Sequence, residues 1–188
     1  MKKIYVMLSR TKTIPSRLIH LSTGGLYTHA SIALTPKTEC LYSFARKTLN
    51  NPLNAGFIVE NTKEFVFAKY PDCLCSVYSL DVSDEVYENM KEILSVFFSN
   101  KDKYRYNFLG AIPLRLGIKW NRKYHFTCSQ FVAFVLQKSG AVKLPKHYSL
   151  MMPNDFLTIK EISLVYKGKI GDCKIKSPSS ASYVENSP

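Results

Sequence analysis

Two residues in this chain have the types and surroundings needed for covalent chemistry, Cys128 and His29. Cys128 sits in Tyr124-His125-Phe126-Thr127-Cys128-Ser129-Gln130-Phe131-Val132-Ala133-Phe134-Val135-Leu136. Thr127 is a natural N-cap, and Gln130 three residues later completes a capping-box pattern. Val132, Val135 and Leu136 recur at helical spacing, and Gly140 marks the stop. Cys128 is thus expected at the first helical position, where unpaired N–H groups and the helix dipole favour a thiolate. His29 lies in Tyr27-Thr28-His29-Ala30-Ser31-Ile32-Ala33-Leu34, a strand pattern in which His29, Ser31 and Ala33 share one face. Small neighbours leave room for another group to approach the imidazole. A thiol and a base of this kind can together carry nucleophilic attack on a carbonyl. Taken singly, a buried helix cysteine and a strand histidine are ordinary core residues.

The elements that must position them follow from hydrophobic patterning. Lys3–Leu8 reads as a buried first strand, and 17–21, which carries His20 among apolar neighbours, as a short helix closed by Gly24-Gly25. After the His29 strand, Thr35-Pro36-Lys37-Thr38 turns the chain into a returning strand over 39–46. A three-residue loop sets Ser43 opposite His29; one more loop residue sets Phe44 there. Residues 57–60 and 65–67 are further strand candidates, and Leu74–Leu80 another. Cys73 and Cys75 have the wrong spacing for a zinc knuckle. Ser83-Asp84-Glu85 opens a helix that carries Val86, Met90, Ile93, Leu94 and Phe97 toward a sheet. Residues 104–118 are aromatic and basic, broken at Pro113, and either line a groove or bridge two elements. Two late strands are expected over 162–166 and 169–175.

A length of 188 residues suits a single domain over 1–176, with a polar, breaker-rich tail over 177–188. Apolar content of 46% excludes a disordered chain. The net charge of +12 fits an anionic substrate, polymer or lipid surface. Lysine and arginine are spread along the chain, so neither nucleic acid nor membrane is singled out as a partner. Five cysteines without framework spacing favour a reducing compartment. With no cleavage pattern in 1–34 and no apolar run of membrane-spanning length, the expected location is the cytoplasm. No cofactor or metal is expected.

Three motifs, in order, resemble one known family. They are Gly25-Leu26-Tyr27-Thr28-His29, Cys128-Ser129-Gln130-Phe131-Val132 and Pro153-Asn154-Asp155-Phe156. Together they resemble the circularly permuted papain-like amidases of the YaeF/YiiX type, relatives of the NlpC cell-wall peptidases, over roughly Ile4 to Lys169. The resemblance implies an α+β, permuted papain-like fold in which an antiparallel sheet packs against helices, one of them starting at the cysteine. It implies Cys128 as nucleophile and His29 as general base, with the histidine preceding the cysteine. Members often carry a glutamate or another polar residue on the strand after the histidine. No glutamate stands at the end of that strand here, so Ser43 is the first choice for the residue that orients His29, and Glu39 the second. The backbone N–H of Cys128 or Ser129 is the expected oxyanion donor, and Tyr27, Tyr106 and Gln130 are the expected substrate contacts. The implied activity is a thiol hydrolase or acyltransferase acting on an amide, isopeptide or ester through an acyl-enzyme. The alternatives are an inactive ligand-binding module of the same fold and a basic nucleic-acid binder.

Overall fold

The computed structural model describes residues 1–11, 24–48, 51, 53–110, 113–114 and 116–175. The expected helix over 17–21, with His20, and the expected tail over 177–188 lie outside these residues.

Six strands form an antiparallel sheet in the order β4-β3-β2-β1-β5-β8. They are β1 (Lys2–Arg10), β2 (His29–Ala33), β3 (Leu41–Arg46), β4 (Ala55–Glu60), β5 (Leu74–Val82) and β8 (Ser163–Lys169). The central strand β1 buries six consecutive residues, Ile4 to Ser9, because both faces of the sheet are covered. Two residues each from β6 (Arg105–Tyr106) and β7 (His125–Phe126) pair in parallel nearby. Among the described residues, α-helices span Phe65–Lys69 (α1), Asp84–Ser99 (α2) and Cys128–Lys138 (α3). The chain is therefore α+β, with an antiparallel sheet packed against helices.

On one face, Ile4, Val6, Leu8, Ala30 and Ile32 pack with Met90, Leu94 and Phe97 of α2 and with Phe131, Val132 and Val135 of α3. Alternation puts Tyr5, Met7, Ala33 and Val77 on the opposite face, against Phe67 of α1 and Ile170. The hub of the first face is Phe44, fully buried, with ring contacts to Phe57, Phe97, Tyr104, Phe126 and Phe131 at 5.2 to 6.1 Å between centroids. Truncating such a ring costs about 3–5 kcal/mol.

Three expectations are corrected. Residues 65–67, expected as a strand, open the short helix α1, whose Phe67 covers the sheet instead of extending it. The two late strands are one, β8, which runs through Gly168 opposite Cys75 and ends in a 3-10 turn over Ile170–Asp172. The β2–β3 register pairs Ile32 with Tyr42, one step beyond the longer of the two loops considered. That step removes both Ser43 and Phe44 from the position opposite His29.

Candidate active site

The cysteine helix begins where the sequence places it. Thr127 has extended backbone angles, its hydroxyl accepts from the Gln130 N–H at 3.3 Å, and the Gln130 Oε1 accepts from the Thr127 N–H at 3.0 Å. Cys128 is the first helical residue, so its N–H and that of Ser129 have no acceptor within the helix. The first turn is anchored from the far side of the chain: Ser129 Oγ donates to the Met151 carbonyl at 2.6 Å, and Gln130 Nε2 donates to the Ser149 carbonyl at 2.8 Å.

His29 opens β2 opposite Ser9. Its entry is fixed by Asn154, whose Oδ1 accepts from the Tyr27 N–H at 3.0 Å and whose Nδ2 donates to the Tyr27 carbonyl at 2.8 Å. A Cβ on Gly25 would come within 2.0 Å of the Asn154 Nδ2, so only glycine lets the loop pass there. The glycine of the first motif and the asparagine of the third thus meet, and the strand histidine is set by their contact.

Cys128 and His29 come together, with the sulfur and the imidazole in hydrogen-bonding contact. The Nε2–H of His29 donates to Glu60 Oε2 at 2.8 Å, which leaves Nδ1 for the sulfur. Glu60 ends β4, two strands away from β2 in the sheet, and both side chains are largely buried, at 15% and 12% exposure. The Phe67 ring closes over the imidazole at 6.4 Å between centroids.

The electrostatics divide charge across the pair. Burial pushes the His29 imidazole down, but the Glu60 charge, hydrogen bonds to Cys128 and Glu60, and the Cys128 charge together hold it well above its usual value. Burial pushes the Cys128 thiol up; a hydrogen bond from His29, its charge, the Ala30 N–H and the Tyr106 hydroxyl more than reverse this, and the thiol lies below its usual value. Tyr106 is driven the other way, by burial and by the neighbouring sulfur, and keeps its proton. Both shifts favour a thiolate beside an imidazolium, with the Tyr106 hydroxyl against the sulfur and accepting from the Cys128 N–H.

The remaining expectations divide. Tyr106 lies against the Cys128 sulfur. Ser43 does not orient His29: its fully buried hydroxyl has no partner, and Glu60 occupies the ring nitrogen. Glu39 does not either, because its carboxylate pairs with Lys63 at the surface. Tyr27 is buried, with its hydroxyl on Ser76 Oγ at 2.6 Å, so it braces the fold and is not a substrate contact. Gln130 is buried and uses both ends of its amide, in the cap and on Ser149, so it braces the helix start and does not face a ligand. Ser129 offers only its backbone N–H, its hydroxyl being committed to Met151.

Glu60 was missed. The signal was a lone carboxylate ending the apolar run Phe57-Ile58-Val59, where a surface strand end has no need of burial. Among the described residues, no group of three His, Cys, Asp or Glu side chains is placed to hold a metal ion. No helix among them is long and apolar enough to cross a membrane. No protein-family model matches the chain, and no curated protein matches it either.

Proposed function

We propose that this protein is a thiol hydrolase or acyltransferase with a permuted papain-like architecture, working through Cys128, His29 and Glu60. The single observation that carries this reading is the chain of contacts Cys128–His29–Glu60, in which a buried imidazole lies between a thiol at a helix start and a carboxylate at 2.8 Å. The order of the three motifs along the sequence supports the same reading.

In this mechanism the Cys128 thiolate adds to the carbonyl carbon of an amide, isopeptide or ester. The oxygen takes the negative charge and is met by the Ser129 N–H at the helix start, and by the Cys128 N–H and the Tyr106 hydroxyl once they turn from each other and from the sulfur toward it. His29 gives its Nδ1 proton to the leaving amine or alkoxide as the C–N or C–O bond breaks, leaving a thioester on Cys128. Neutral His29 then takes a proton from water or an acceptor, which attacks the thioester and restores the thiolate. Glu60 touches no reacting atom. It is a positioning residue that fixes the ring and stabilises its charged form.

The test is incubation of the protein with a small panel of amide and thioester electrophiles, with adducts located by peptide mass spectrometry. Adduct on Cys128 in the wild type, lost in Cys128→Ala, supports the assignment. Adduct only on the half-exposed Cys40, or equal adduct in Cys128→Ala, overturns it.

A further inference from the structure

The parallel pair β6–β7 clamps the two ends of the 107–124 excursion, described at 107–110, 113–114 and 116–124, directly beside the candidate site. Tyr106, at one end, touches the Cys128 sulfur and packs on the Phe108 ring at 4.8 Å. Large apolar side chains point outward along this excursion: Phe108, Leu109, Leu116, Ile118, Trp120 and Tyr124, with Leu116 68% and Leu109 60% exposed. A protein surface tolerates such residues singly; six within seventeen positions concentrate exposed apolar area on one segment of chain.

Charge identifies the kind of partner it fits. Residues 103–154 carry nine of the chain's 26 lysines and arginines and none of its 14 aspartates and glutamates. The basic residues are spread along the chain, but the acidic ones are excluded from this stretch. Within the excursion, the Arg122 guanidinium lies over the Trp120 ring at 5.6 Å and the Lys123 ammonium over the Tyr124 ring at 5.1 Å. Among the described residues, Lys119, Arg122 and Lys123 pair with no carboxylate. Aliphatic tips beside rings that carry cations match the interfacial zone of a bilayer, where aromatic rings lie at headgroup level and lysine and arginine meet lipid phosphates. Nucleic acid would use the rings and the cations but would leave Leu109, Leu116 and Ile118 in water.

From this we infer that the 107–124 excursion docks the protein onto an anionic lipid surface, with Leu116, Ile118 and Trp120 entering the headgroup boundary. The inference does not depend on the thiol chemistry.

Trp120 is the single tryptophan of the chain and reports directly on insertion. The full-length protein is mixed with vesicles of phosphatidylcholine alone or with phosphatidylglycerol added. Expected are co-flotation with the anionic vesicles, a blue shift of Trp120 emission, and quenching by lipids brominated in the upper acyl chain. Leu116→Asp and Lys119→Glu/Lys123→Glu each weaken binding at least about tenfold with unchanged circular dichroism. Val96→Asp, at an exposed apolar position on α2, and Cys128→Ala bind as the wild type does. Failure to float with anionic vesicles overturns the proposal. So does flotation without bromine quenching, or Trp120 quenching by an oligonucleotide with vesicles left unbound.

Discussion

Cys128 and Cys75 are both buried and both belong to the same sheet-and-helix assembly, yet their environments push them in opposite directions. Cys75 lies on β5 opposite Gly168, packed with Cys73, Cys173, Met7 and Val77. A hydrogen bond to Cys173 and burial both raise its thiol far above the usual value, and no cation offsets them. Cys128 meets burial as well, but it opens a helix and faces His29, and the balance reverses. Burial among other thiols, with no cation beside it, therefore holds a cysteine protonated. The lowered value at Cys128 comes from the imidazole brought in by another strand, which the Glu60 carboxylate holds in its charged form.

The difference can be broken at successive depths. Cys128→Ala should abolish rapid alkylation by iodoacetamide at pH 7, with Cys75 unmodified in the native protein, as read by peptide mass spectrometry. Rapid modification of Cys75 would erase the contrast. His29→Ala, which removes the cation and leaves the burial, should slow alkylation of Cys128 about a hundredfold and make it resemble Cys75.

Glu60→Gln tests the layer behind. An amide accepts the ring's hydrogen bond but does not stabilise its charge, so alkylation at pH 7 should fall about tenfold. The signs are fixed. In the wild type the rate climbs as pH rises through the lowered Cys128 value, and turnover declines again as pH passes the raised His29 value. In Glu60→Gln the rising limb should move to higher pH and the falling limb to lower pH, narrowing the bell. A residue that served only to hold the fold would lower the rate without moving either limb. The smallest effect belongs to Ser43→Ala: its hydroxyl has no partner to lose, so stability should change by no more than about 0.5 kcal/mol and the pH profile should not move, as checked by urea denaturation and alkylation.

Much of this arrangement was legible from local patterning. Thr127 and Gln130 announce the cap, and the cap fixes Cys128. Strict alternation along 28–34 fixes the face of His29. Both signals act within a few residues, where periodicity and capping dominate. Glu60 depends instead on how β2, β3 and β4 register across two turns, and the Ile32–Tyr42 pairing that decides it follows from a loop longer than the turn residues suggest. Residues 65–67 misled for a related reason. Three apolar residues are too few to separate the two periods, and the tertiary need to cover His29 and Cys75 selects a helical turn. Tyr27 and Gln130 stand beside the motifs for structural reasons, the first on Ser76 and the second in the cap, and adjacency in sequence could not separate bracing from contact.

The clasp between Asn154 and Tyr27 has a consequence for how the molecule is made. The histidine strand emerges early in synthesis, but the amide that seats it arrives 127 residues later, after the nucleophile itself. About two thirds of the chain is thus made before Cys128 exists, and the sulfur acquires its partner only when the last third of the polypeptide closes over the first. On the proposed reading, the growing chain carries no assembled Cys128–His29 pair until its late segment folds back onto its early one.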